Sequence, residues 1–560
     1  MAPRLPAPDE WQASVVGSGT GGLDRLVGTQ QPGTKSLADV VRELKRRKPV
    51  LVMVGGNGGG QLAIGTVNAS GVAAGQEVKS LAAKYAPVGL AAGESHAACV
   101  TVSGAVMVWG DGAWGQLGVG PSLERSPRPY LLKRLRQLRA VSVACGERHT
   151  LVALDDSRVF AFGDGTRWGE LGLPSPAQCW EPTEVPGLPA GLGPASVFCG
   201  RVTSGAVYGD GACFMWGCNA AGQCGQPIRP GSDPASLSQP TPARVVVDPS
   251  LALGSSRVLT AAAGDFFSLF VVGPERVLLV AGCPLVSRDA AADVMAGDRE
   301  GVRREAGMAG DGGFALRQAL ESGLSGLKGP PPAPEEGDTS HGAAGPITAV
   351  LDVSAGHTHG AAVRANGSVF MVGRGHLGLP PDEAAVLRSA EMRHADADGR
   401  GDGEASSSYV ATAHFVRLLS VGLEGCVAAS CGAAHTVLGT RTGRLLSFGL
   451  ADVAQTGTGG YGWTLVPKLC DALARPMQHV EAFVAGGDFT AAVTYPGARG
   501  GARERELATT YADLWLRRAL GRGLGETILA AGEAEAEIDS LAADLARAAG
   551  LSGVVMQVTG

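Results

Sequence analysis

Four histidines stand at one phase of this 560-residue chain: His96, His149, His359 and His435. Each lies three residues after a glycine, at Gly93, Gly146, Gly356 and Gly432. Histidine is the side chain best suited to proton transfer near neutral pH. Catalysis, however, needs a nucleophile, a base and an orienting group in one unique place. A histidine that recurs in phase has the same surroundings each time, which points to a repeated structural duty. No H-E-x-x-H string is present. Gly17-Ser18-Gly19-Thr20-Gly21-Gly22 satisfies G-x-G-x-x-G, but a dinucleotide site needs a βαβ unit around it. Nothing nearby has that periodicity, so the stretch reads as a linker.

The remaining candidates are metal ligands and thiols. Cys145, Cys199 and Cys431 precede a repeated glycine directly or share its phase, as small buried free thiols in a reducing compartment would. Cys213, Cys218 and Cys224 lack zinc spacing. Asp396, Asp398 and Asp402 imitate a calcium loop, but Arg400 occupies a ligand position and no glutamate closes the loop. Neither a metal nor a cofactor is expected.

The elements that carry these residues form a repeat. Its clearest copy, GESHAACVTVSGAVMVWGDGAWGQLG, runs from Gly93 to Gly118. Further copies start at Gly146, Gly200, Gly264, Gly356, Gly432 and Gly486, and the last stops at its first hairpin turn. Residues 50–65, VLVMVGGNGGGQLAIG, match only the second half of a copy. Starts and ends therefore balance only in a ring, with residues 50–65 sharing a sheet with 482–495. Short apolar runs at a period of roughly 50 residues predict a seven-bladed β-propeller, all-β, with no bare sheet edge. Ser103-Gly104, Asp156-Ser157, Asp210-Gly211, Asn366-Gly367 and Thr442-Gly443 fall between paired runs as hairpin turns, and Asn-Gly and Asp-Gly favour positive φ. Trp109, Phe162, Trp216, Val372 and Phe448, each before a glycine, are expected between neighbouring blades.

The pattern resembles the regulator-of-chromosome-condensation repeat family. The G-x-x-H starts at Gly93–His96, Gly146–His149, Gly356–His359 and Gly432–His435 carry the resemblance, with the tails Gly115–Gly118 and Gly169–Gly172. It covers about residues 50–495 and implies seven four-stranded blades. The copies at Gly200, Gly264 and Gly486 lack the histidine and are the less secure blades. The family's plant photoreceptor branch places Trp just after the repeat glycine. Here that position holds Glu94, Glu147, Arg201, Asp265, His357, Ala433 and Gly487, so photoreception is not implied. Roughly 65 residues follow the last copy, too few for the catalytic domain of the ubiquitin-ligase branch. The founding branch exchanges guanine nucleotide on a Ran-type GTPase, and no motif for that transfers to positions here.

Three regions follow from this reading: an extension over 1–49, the propeller over 50–495 and a helical extension over 496–560. In the first, Leu37, Val40, Val41 and Leu44 give an apolar helix face ending in Lys45-Arg46-Arg47-Lys48. That basic run suits a helix C-terminus in water, an acidic protein surface or a phosphate, or nuclear import. In the last, Trp515 lies on one helix face, and Ile538, Leu541 and Leu545 lie on a short heptad seam. Insertions are expected near 283–345, largely disordered but with a helical turn at Phe314–Leu320, and near 380–413. The formal net charge of −6 gives no pull toward nucleic acid. The start of the chain has no secretory h-region, and no apolar run approaches the length of a membrane span. The expectation is an intracellular, cytoplasmic protein that binds other proteins in a multi-subunit assembly. Cytoskeletal or ciliary assemblies are one setting where related rings occur. A small GTPase is the alternative partner.

Overall fold

The computed structural model describes residues 50–78, 81, 87–101, 104–193, 195–227, 237–284, 317–318, 346–385, 387, 410–421, 425–473 and 479–495. The stretches holding Lys45–Lys48, Trp515, Ile538, Leu541 and Leu545 lie outside the described residues, as do Gly17–Gly22 and the aspartates at 396–402.

Seven antiparallel sheets of four strands follow one another. Blade I runs from Pro87–Ala92 to Arg125–Leu131, blade II from Ala140–Cys145 to Gln178–Glu184, and blade III from Ser196–Cys199 to Ser238–Arg244. Blade IV runs from Val258–Ala263 to Arg317–Gln318, blade V from Val350–Ala355 to Val410–Arg417, and blade VI from Cys426–Cys431 to Trp463–Leu469. Blade VII joins the two ends of the propeller. His479–Ala485 and Phe489–Tyr495 pair with Val50–Asn57, which pairs with Asn68–Glu77. Val54 lies opposite Thr490, so strands from opposite ends of the sequence complete one blade. The circular closure expected from the half-repeat is what the structure shows.

Apolar alternation explains the packing. Each second strand is buried along nearly its whole length and shares core clusters with the neighbouring blade. Trp109, Phe162, Trp216, Val372 and Phe448 all lie in such shared clusters at under 1 % exposure.

Three expectations are corrected. The blades without the histidine are complete, each with four strands. Arg317–Gln318 form a strand, not a helical turn, and pair with Leu279 and Val280. The open edge of Val277–Gly282 gives those residues a ladder to join. The insertion near 380–413 ends earlier, because Val410–Arg417 is the fourth strand of blade V. The hairpin turns also differ in detail. Only the second residue of each described pair has positive φ, including Ser157 at φ 80°. Gly211 N–H donates to Tyr208 O at 2.9 Å and Gly367 N–H to Arg364 O at 2.9 Å. These are four-residue turns closed by a left-handed residue, the type I turn with a bulge. The Asp210 and Asn366 carboxyl and amide oxygens accept the N–H two residues on, at 2.9 and 3.0 Å, which holds the exit of the turn.

Candidate functional site

The repeat glycines form the innermost ring. A Cβ on Gly93 would lie 2.2 Å from Gly146 O, on Gly356 2.1 Å from Gly432 O, and on Gly432 2.3 Å from Gly486 O. The same meeting recurs around all seven blades and closes from Gly486 to Gly93 O. No side chain fits where seven turns converge on one axis. Backbone bonds tie the turns together: Glu147 N–H to Arg201 O at 2.9 Å, Asp265 N–H to His357 O at 3.2 Å, and Gly487 N–H to Gly93 O at 2.9 Å.

The histidines pin each blade to the next. His96 Nε2 lies 2.8 Å from Thr150 Oγ1, His149 Nε2 2.9 Å from Ser204 Oγ, His359 Nε2 2.9 Å from Thr436 Oγ1, and His435 Nε2 2.9 Å from Thr490 Oγ1. The hydroxyls of Thr150, Ser204 and Thr490 donate to the carbonyls of Gln116, Glu170 and Gln455, at 2.8, 2.7 and 2.6 Å. Each of these hydroxyls therefore accepts from the ring, and Nε2 carries the proton. Burial drives the histidines to about 3 or 4, so all four are neutral near pH 7.

The residues just after the glycines gather at the mouth of the central channel. Arg201 Nε lies 2.9 Å from Glu147 and its Nη1 lies 3.6 Å from Asp265. Arg148 lies 3.3 Å from Glu147 and stacks 4.2 Å above the Trp114 ring. His357 Nε2 lies 3.0 Å from Glu94. Burial opposes a charge on His357, but Asp265 and Glu94 outweigh it and hold the ring above its ordinary value. Beside this network opens a cavity of about 430 Å³, walled among others by Glu147, Asp164, Arg167, Glu170 and Arg201. Burial, helped by Asp164 and Glu147, pushes the Glu170 carboxyl up to about 8. The sequence signal for this site is the run of Glu94, Glu147, Arg201, Asp265 and His357 at one repeat position, which only the ring brings together. Among the described residues no group of three or more His, Cys, Asp or Glu is placed to hold a metal ion. The eleven cysteines are free, nine of them buried; Cys179 and Cys199 are half-buried.

The mouth face carries the turns between first and second strands and the loops between third and fourth. The back face carries the hairpins and the blade-to-blade connections. With two strand residues on either side, and outside the two-residue strand of blade IV, the described mouth loops hold eleven carboxylates and five arginines. The back face, counted likewise, holds eight carboxylates and thirteen lysines and arginines. Lys133, Arg134 and Arg136 stand exposed on the connection from blade I to blade II. Among the described residues the two faces are opposite in sign. Trp114, Tyr461 and Trp463 are exposed on the mouth face at 41, 67 and 49 %. The stretches that follow Gly282 and Gly375 both leave from this face, at the ends of third strands.

A model of the regulator of chromosome condensation (RCC1) repeat matches residues 103–153 and 210–271, and a second model of that repeat matches 140–167. The human E3 ubiquitin-protein ligase HERC2 is 39 % identical over 132 residues, which are 23 % of this chain and 3 % of that protein. The human X-linked retinitis pigmentosa GTPase regulator is 34 % identical over 139 residues, 25 % of this chain and 13 % of that one. The chain thus matches only a small part of these relatives' length. Among solved structures, Prp20p from Saccharomyces cerevisiae superposes with a TM-score of 0.59 at 16 % identity, over 83 % of this chain and 95 % of that one. Human WBSCR16 gives 0.56 at 16 %, over 80 % and 99 %. No helix among the described residues is long and apolar enough to cross a membrane.

Proposed function

We propose that this seven-bladed propeller of regulator-of-chromosome-condensation repeats is a non-catalytic protein–protein interaction scaffold, a subunit of a larger assembly. The opposite charge of its two faces carries the reading. A ring locked by its own seams offers an acidic mouth face, with exposed aromatics and long insertions, to a basic partner surface. Its histidines are consumed by the seams and neutral, which removes them from acid–base chemistry. The termini are part of the proposal: Lys45–Lys48 precede a strand that starts on the back face, and Trp515, Ile538, Leu541 and Leu545 would supply a second contact. The proposed setting is cytoplasmic, cytoskeletal and ciliary assemblies included, in keeping with eleven unbridged cysteines.

A second reading, guanine-nucleotide exchange on a Ran-type small GTPase, draws on the likeness to Prp20p, whose structure is described with its binding to Gsp1p and histones. One experiment separates the two. The full chain is tagged, recovered from cells and cross-linked before mass spectrometry, and a small GTPase loaded with fluorescent GDP is assayed in parallel. A scaffold gives stable partners with cross-links to mouth-face loops and no faster nucleotide release. A monomer without partners that accelerates release overturns the scaffold in favour of exchange.

A further inference from the structure

Blade II breaks a rule that four other mouth loops keep. Five of these loops place a Gln or Glu at one position: Gln61, Gln116, Glu170, Gln223 and Gln455. In each, the side-chain oxygen accepts the N–H two residues back, at 2.7, 2.8, 3.2, 2.9 and 3.1 Å. The amide nitrogen then serves as a donor. Gln116 Nε2 donates to Asp111 at 3.0 Å, Gln61 to Asp488 at 3.0 Å, and Gln223 to the Asp265 carbonyl at 3.1 Å. Asp111 and Asp164 close the third strands of blades I and II at the same position. In blade I an amide satisfies that aspartate, whereas in blade II a second carboxyl stands there with no N–H to give.

The surrounding charges do not make up the difference. Arg148 and Arg201 are held by Glu147 and Asp265, and His357 by Glu94. Arg167 lies 5.4 Å over the Trp168 ring. No ion pair among the described residues includes Asp164 or Glu170. One Asp164 oxygen accepts from Thr166 N–H and Oγ1, at 3.0 and 2.7 Å. Glu170 is only 7 % exposed, yet both carboxyls line the 430 Å³ cavity. A buried carboxyl beside another holds a proton near pH 7, and a cation entering the room in front of them would take that proton's place.

We propose that the notch between Asp164 and Glu170 is a subsite for a cationic side chain of a partner protein, the guanidinium of an arginine before the ammonium of a lysine. A planar guanidinium donates to two carboxylates at once and takes the place of the missing amide. The subsite rests on the reading of the mouth face as a docking platform. It gives that platform an anchor at one blade out of seven.

The test uses the full chain and three blocked pentapeptides, Gly-Gly-X-Gly-Gly with X arginine, lysine or norleucine. Binding is followed by NMR of ¹³C-labelled glutamate carboxyls. The arginine peptide should shift Glu170 and lower its titration midpoint from about 8, with lysine weaker and norleucine silent. Glu170→Gln, which installs the residue of the other four loops and so keeps the fold, should weaken arginine binding about tenfold or more. Asp164→Asn should weaken it as well. Equal binding of the arginine and norleucine peptides, or undiminished binding by Glu170→Gln, overturns the subsite. Neither result touches recovery of partners by the wild-type chain, which alone decides the platform.

Discussion

Two kinds of seam account for six of the seven junctions in the ring; the seventh, between blades III and IV, sets Thr203 against Ser268. Between blades I and II, II and III, V and VI, and VI and VII, a histidine reaches a hydroxyl of the next blade. Between IV and V, and between VII and I, the histidine's place is taken by Phe267 and Phe489. There the residue answering to the hydroxyl is Gly360 or Ala97, neither of which has a polar side chain. A Cβ on Gly360 would sit 3.0 Å from the Phe267 ring. Polar pairs with polar and large pairs with small, and no described seam mixes them. The comparison teaches that the seam varies as a pair within this chain, and that neither partner changes alone. A buried hydroxyl facing phenylalanine would lose its hydrogen bond, and a histidine facing alanine would keep an unmet donor.

The largest way to separate the two seams is acid. The four seam histidines ionise near 6.5 when unfolded and only at about 3 to 4 when folded. Between those values the unfolded chain binds more protons, so their contribution is full above 6.5 and is lost as pH falls toward 4. At pH 5 each costs about 2 kcal/mol, on the order of 8 kcal/mol together, comparable to a whole domain's stability. Denaturant titrations at pH 7, 6 and 5 should show a steep decline, made shallower by His359→Gln; a flat profile would mean the rings are protonated in place.

Next in size is the inner ring shared by both seams. Gly356→Ala puts a methyl 2.1 Å from Gly432 O and should cost about 3 kcal/mol or more, read as a fall in thermal midpoint. An alanine tolerated there would show that the blades are not held at this distance. The pair rule is tested by exchange. His435→Phe alone should cost about 2–4 kcal/mol, from crowding and from the lost His435–Thr490 hydrogen bond. Adding Thr490→Ala should return about 1–3 kcal/mol. Additive losses would dissolve the distinction between the seams.

The smallest effect concerns blade II. Glu170 ionises near 4.5 unfolded and at about 8 folded, so stability is full below 4.5 and lost as pH rises through 8. Glu170→Gln should therefore stabilise by about 1 kcal/mol at pH 5 and by more at pH 8. The reverse order of pH would remove Glu170 from its carboxylate neighbourhood.

Much of the ring was legible in the linear order. The phase of Gly93, Gly146, Gly356 and Gly432, and the half-repeat at 50–65, dictated closure because an unpaired strand edge has no stable alternative. The hairpins were legible as turns, but their type was not, since Asp156-Ser157 and Asn366-Gly367 satisfy more than one turn geometry. Blades III, IV and VII looked doubtful only because one member of each seam was in view. The compensating Gly360 and Ala97 belong to the following repeat, and no local window contains both.

The sequence by itself determined the number of blades and the shared last blade, because these depend on periodicity along the chain. Only the tertiary structure decided which hydroxyl each histidine meets, that the two faces differ in charge, and that Glu170 confronts Asp164. These depend on distances between residues tens of positions apart, which the closed ring sets and the chain order does not.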